Sequence, residues 1–317
     1  MTPPRAPAPG PGPGHASAAA WPLRLAEEVA AALCDGSPVV ALETTLVSHG
    51  FPAGQGAAVG RLAEEAVRGA GGVPATIGVL DGLVRVGLSP SELERFDAEG
   101  ASARKLGPRD LAPCIAQRAL GATTVGGTLA VCAVAGIRFL ATGGLGGVHR
   151  GFPHPPDVSA DLGELARVAA LVVSSGIKSL LDVAATAELL ETLSIPVLGW
   201  RTHELPLFYA ARGGPPVSAR VESAIEAAVV ARAHWALRRA SLLLARPPAE
   251  SLDDIEPLIA EALARAERDG IRGPAVTPYV LSFLHANSDG RTLRANRDLI
   301  VGNAALAGEV AAAYADD

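Results

Sequence analysis

Among the 27 basic side chains of this 317-residue chain, only two are lysines, Lys105 and Lys178; the other 25 are arginine. Arginine replaces lysine wherever only a positive charge is wanted. It cannot do so where a neutral primary amine must attack a carbon, because guanidinium keeps its proton. The two lysines are therefore candidates for amine chemistry, and composition alone leaves chance survival equally open. Lys178 follows Val-Val-Ser-Ser-Gly-Ile, which reads as the end of a strand with a helix opening through the lysine. Ligands bind at the carboxyl ends of strands in parallel sheets. Apolar neighbours and a helix N-terminus would both favour the neutral amine, which can form a Schiff base with an aldehyde.

Glu43 interrupts the apolar run Val39 to Val47. A carboxylate buried there without a partner costs several kcal/mol. Partial burial would raise its pKa and suit it to proton donation; a strand-end residue facing water is the equal alternative. Residues 141–151, ATGGLGGVHRG, form a glycine-rich loop. Its N–H groups could make a phosphate nest, with Thr142, His149 and Arg150 as added donors. It has neither a G-x-G-x-x-G nor a Walker lysine. Asp157-Val-Ser-Ala-Asp161 follows. Two carboxylates around a serine suit a hard divalent cation that keeps several waters, while Ser159 equally suits a helix N-cap. Gly121 to Gly127, GATTVGG, permits either ligand approach or tight helix packing, and packing is the simpler explanation. His49, His154 and His203 show no metal-ligand spacing.

Strands alternating with helices must position these groups. The pattern predicts strands at Val39–Val47, Arg138–Thr142, Ala170–Ser174, Pro196–Trp200 and Leu242–Ala245. It predicts helices over Gln55–Ala70, from Ser89-Pro-Ser-Glu92, over Val125–Ala135 and Asp253–Glu267, and in the last 40 residues. Asp81-Gly82 marks a hairpin between Val73–Leu80 and Leu83–Val86. The expected fold class is α/β, a single α/β/α layered domain with a largely parallel central sheet over residues 21–317. Residues 1–20, rich in Pro, Gly and Ala, read as a disordered tail. A net charge of −6 argues against nucleic-acid binding. No apolar run reaches the roughly 20 residues of a membrane helix, and three cysteines without a Cys-x-x-Cys pair fit a cytoplasmic protein.

Taken together the chain resembles the pseudouridine-5′-phosphate glycosidases, also called the indigoidine synthase A-like family. The segments that carry the resemblance are ALETTLVSHGFP, PATIGVLDGLVRVGLS, RKLGPRDL, GATTVGGTLAVCAVAGIRFLATGGLGGVHRG, DVSADLGELA, SSGIKSLLDVAATAELLETLSIPVLGW and VTPYVL…ANRDLIVGNAAL. They lie in family order across residues 38 to 310. Two departures stand out: Gly302-Asn303-Ala304 where the family often has Asn-Asn-Ala, and Arg246-Pro247 where Asn-Pro is common.

The resemblance implies reversible cleavage of the carbon–carbon glycosidic bond of pseudouridine 5′-phosphate to uracil and ribose 5-phosphate. By position, it makes Lys178 the Schiff-base nucleophile and Glu43 the proton donor. Lys105, Val125, Ser159, Ala160 and Asp161 become substrate or metal-water contacts, Thr142 and His149 fall in the phosphate region, and Asn303 reads the uracil edge. Asp157 becomes the ligand of one manganese ion (Mn2+) per subunit, and the assembly a homotrimer. The alternatives are the same chemistry on another ribosyl phosphate, or a non-catalytic sugar-phosphate-binding protein.

Overall fold

The computed structural model describes residues 22–154 and 156–316; the N-terminal tail expected over 1–20 lies outside them. One eleven-stranded sheet organises the chain. Its strands run, edge to edge, Leu23–Leu25, Leu83–Val86, Val73–Leu80, Val39–Glu43, Phe139–Ala141, Leu171–Ser174, Leu242–Ala245, Val197–Trp200 and Ala219–Val221. Gly121–Thr123 pairs antiparallel with Val73–Leu80 and carries Arg104–Leu106 beside it. From Val73–Leu80 through Val39–Glu43 to Ala219–Val221 every neighbouring pair is parallel. The Asp81-Gly82 turn joins the antiparallel hairpin as expected, with φ of 53° and 85°.

Side chains alternate between the sheet's two faces, as a two-residue period requires. Ala41, Val172 and Leu243 enter one apolar core, whereas Leu42, Val173 and Leu244 enter the other. Helices cover both. Val125–Ala135, Val183–Thr192 and Glu256–Arg268 pack on the first face, and Gly56–Gly69, Ala224–Ala236 and the long Arg291–Ala315 on the second. Among the described residues no helix is long and apolar enough to cross a membrane.

Two expectations need correction. The apolar run from Val39 is a strand only to Glu43; Thr44 turns into the helical region and Thr45–His49 is a short helix. Thr44 makes that turn by donating its hydroxyl to the Ile77 carbonyl at 2.7 Å and accepting the Thr123 amide at 2.9 Å. No helix opens at Lys178 either. Gly176, at φ +80°, turns the chain so tightly against Pro206 that any Cβ would lie 1.9 Å from its carbonyl oxygen. Lys178 then sits in an irregular loop, and the next helix starts at Val183, capped by Asp182. The helix-terminus argument for a neutral Lys178 therefore does not apply.

Candidate active site

The carboxyl ends of three adjacent parallel strands meet at one place. Glu43 ends its strand, Thr142 follows Phe139–Ala141, and the Lys178 loop follows Leu171–Ser174. There a cavity of about 310 Å³ is lined by Glu43, Lys105, Val125, His149, Asp157, Ser159, Ala160, Asp161 and Lys178. Nine of the eleven candidates from sequence thus line one cavity. Lys105 arrives from the antiparallel branch of the sheet, opposite the Lys178 loop.

Glu43 is 6% exposed and accepts a hydrogen bond from the Thr142 hydroxyl. Burial pushes its carboxyl above the usual carboxylate range, while Lys178 and the Thr142 hydroxyl pull the other way. Burial, and then the charge of Lys178, hold the Lys105 ammonium below the usual lysine range. Burial likewise lowers His149, against the pull of Asp157, whose Oδ2 is 3.7 Å from its Nδ1.

Asp161, 4% exposed, is a fastener. One oxygen accepts the Gly126 amide at 2.8 Å and the other the Gly146 amide at 3.0 Å, tying the start of helix Val125–Ala135 to the glycine loop. Val125 opens that helix, which is capped by the Thr124 hydroxyl. Ser159 caps Ala160–Leu165, accepting the Asp161 amide at 3.3 Å. Each Asp161 oxygen already accepts an amide, so Asp157 is the less committed of the two carboxylates for a cation. Among the described residues no three His, Cys, Asp or Glu side chains cluster as a metal cage. The donor set fits an open site, in which a hard ion on Asp157 would take its remaining oxygens from water and substrate.

The glycine loop has fewer uncommitted amides than the expected nest. The amides of Thr142, Leu145, Gly146, Val148 and His149 already donate to Val173, Gly176, Asp161, Thr186 and Asp157. Its glycines serve close packing instead: a Cβ on Gly144 would lie 2.5 Å from the Phe208 ring and 3.3 Å from Lys178 Cγ. The Thr142 hydroxyl donates to Glu43. Arg150 is also committed elsewhere, to Glu256 at 2.6 Å and to the carbonyls of Ser179 at 2.6 Å and Leu181 at 3.4 Å.

Asn303 is fully buried and lines neither this cavity nor the next. Its amide donates to the carbonyls of Thr142 at 2.8 Å and Gly143 at 3.4 Å and to the Ser175 hydroxyl at 3.0 Å. It braces the loops that carry Thr142 and Lys178. The asparagine that does reach the site is Asn296, two turns earlier on the same helix. It lines a narrower chamber continuous with the cavity, together with Glu43, Thr142, Lys178, Phe208 and Ile300. Asn296 Nδ2 donates to the Gly50 carbonyl at 3.2 Å, which orients its side-chain oxygen. Spacing contained the signal, since positions 296 and 303 share a helix face. His49 also lines this chamber, and its Nε2 is buried without a partner.

The two departures from the family pattern meet. The Arg246 guanidinium lies over Gly302, where a Cβ would fall 2.5 Å from Nη1 and 2.7 Å from Cζ. Arg246 fills the space that a side chain at 302 would need.

Known proteins share this arrangement over most of its length. The family model described as indigoidine synthase A like protein matches residues 28–313. A pseudouridine-5′-phosphate glycosidase of Chloroflexus aurantiacus is 46% identical over 297 residues, which is 91% of this chain and 97% of that protein. One from Streptomyces griseus is 47% identical over 92% of each. Among solved structures, the prealnumycin C-glycosynthase AlnA in complex with ribulose 5-phosphate superposes with a TM-score of 0.84 at 41% identity, covering 93% of this chain and 97% of that one. An indigoidine synthase A-like protein from Thermotoga maritima gives 0.82 at 38% identity, covering 92% and 95%. The chain belongs to the indigoidine synthase A-like family.

Proposed function

We propose that the chain is a pseudouridine-5′-phosphate glycosidase, cleaving the C1′–C5 bond between ribose and uracil through an imine on Lys178. The observation that carries this reading is the facing of one amine and one protonation-prone carboxyl, Lys178 and the buried Glu43, across a single cavity. Curated relatives of that name at 46% and 47% identity support it.

The residues suggest a division of labour. Lys178 Nζ adds to C1′ as the ribose ring opens, its oxygen leaving with a proton. Glu43 delivers a proton to uracil C5, and the electron pair of the C1′–C5 bond returns to the base and restores its C5=C6 double bond. C1′ is left as an iminium on Lys178, which water hydrolyses to ribose 5-phosphate. The phosphate lies at the polar end, near Lys105, His149 and Ser159, and Val125 and Ala160 complete that wall. Asp157 would hold the manganese ion, which when bound supplies positive charge beside the phosphate. Uracil lies in the narrower chamber against Asn296. The family resemblance extends the proposal to a homotrimer, checked by light scattering, and to a cytoplasmic setting, which the three free cysteines support.

Uracil release from pseudouridine 5′-phosphate, with borohydride trapping of ribose 5-phosphate, tests the reading. Lys178→Arg should lose turnover by more than about a thousandfold and lose the trapped adduct, with thermal stability retained. An adduct persisting in Lys178→Ala would overturn it. The ribulose 5-phosphate complex of AlnA favours a second reading, carbon–carbon chemistry on another pentose phosphate. Relative turnover of pseudouridine 5′-phosphate and other C-ribosyl phosphates separates the two.

A further inference from the structure

Helix Val276–Asn287 runs beside three cavities laid end to end. Thr277 lines both the 310 Å³ cavity and the narrower chamber behind it. The next residue, Pro278, and Leu281 one turn on line that chamber and also a third cavity of about 250 Å³. His49 and Gly50 form the shared wall on the other side. The third cavity meets solvent at the exposed Pro52, Ser282 and Ala286.

Polarity changes along this line. The first cavity carries Lys105, Arg109, Asp157, Asp161 and Lys178, whereas among the described residues no Asp, Glu, Lys or Arg lines the third. Among the described residues its titratable side chains are His49 and His285, and burial lowers both below the ordinary histidine range, so they are neutral near pH 7. A phosphate dianion would lose its hydration there without a counter-charge; a neutral planar base would not. The Phe51 and His285 rings, 13° from parallel, present flat apolar walls. The His285 ring, 3.2 Å from the Gly50 carbonyl, ties the two walls together.

We propose that this third cavity is a second mouth of the active site, through which the free pyrimidine base leaves and enters while the sugar phosphate stays bonded to Lys178. The inference rests on the proposed function and extends it to product order. A sugar held as an imine on Lys178 would lie in the first cavity, between its opening and the chamber. Uracil formed behind that sugar needs its own way out, or it recombines with the iminium. No bond is made or broken in the passage.

The test caps the mouth from its rim with Ser282→Trp and, independently, Ala286→Trp, two exposed positions away from the reacting groups. Three measurements are made on each: rapid-quench cleavage of pseudouridine 5′-phosphate in the first turnover, exchange of radiolabelled uracil into it, and borohydride trapping of ribose 5-phosphate. The proposal expects uracil exchange and steady-state release to fall roughly tenfold or more. First-turnover cleavage and trapping should stay within about twofold of the parent, which also shows that the variants are folded. Exchange at the parental rate in both variants would overturn the second mouth while leaving the glycosidase reading intact. So would a parallel fall in first-turnover cleavage. A parent that releases no uracil would defeat the glycosidase reading, and the second mouth with it.

Discussion

The hydroxyl of Thr142 donates to Oε1 of Glu43, joining the ends of two adjacent parallel strands at the point where the cavity begins. That bond stabilises the ionised carboxyl, whereas burial stabilises the neutral one, and burial dominates. A proton donor must be protonated, so cleavage fails as pH rises through the Glu43 pKa. Removing the hydroxyl in Thr142→Val takes away a pull towards ionisation. The alkaline limb of first-turnover cleavage should move to higher pH in that variant. A limb that stays in place would mean that another group supplies the proton.

Arg150 holds the carbonyls of Ser179 and Leu181, on the loop that carries Lys178, and anchors them to Glu256. Arg150→Ala should slow imine formation with ribose 5-phosphate by roughly tenfold, with little change in the affinity for the sugar phosphate. A phosphate-binding arginine would show the reverse, a raised KM with kcat preserved. Stopped-flow trapping and inhibition by ribose 5-phosphate separate the two outcomes, and Arg150→Lys should recover part of the rate.

Arg246 and Gly302 form a reciprocal pair. Gly302→Asn in the parent should destabilise by about 1–3 kcal/mol through overpacking, read as a lowered midpoint in urea. In an Arg246→Ala background the same substitution should cost much less. An additive double-mutant cycle would show that the contact carries no energy.

If manganese is held in an open site on Asp157, the remaining ligands are water and substrate. Asp157→Asn should then raise the manganese concentration needed for half-maximal cleavage by roughly tenfold, while trapping of ribose 5-phosphate on Lys178 persists. Chelator treatment of the parent should lower cleavage, and added manganese should restore it.

Much of this was legible in the residues. Long apolar runs and the Asp81-Gly82 turn marked the parallel sheet and its hairpin, because strand period and turn chemistry are local properties. The scarcity of lysine pointed at both amines before any fold was known. What failed was tertiary. The segment after Ser175 has helix-like composition, but Gly176 turns it against Pro206 and delays the helix to Val183. The glycine loop looked like a phosphate nest because sequence does not show which amides are already paired. Asn303 and Asn296 share one helix face, and only depth, about 10 Å along the axis, decides which one lines a chamber. Strands of two or three residues, such as Leu23–Leu25 and Arg104–Leu106, carry too few side chains to show a period.

Both lysines of the chain open onto the same cavity. Apart from the terminal amino group, the rest of the surface offers nothing to acylating or aldehyde reagents aimed at primary amines. On the lysines such reagents report on the active site. For the same reason, immobilising the protein through its lysines would inactivate it, whereas the exposed thiol of Cys34 offers an attachment point outside the cavity lining.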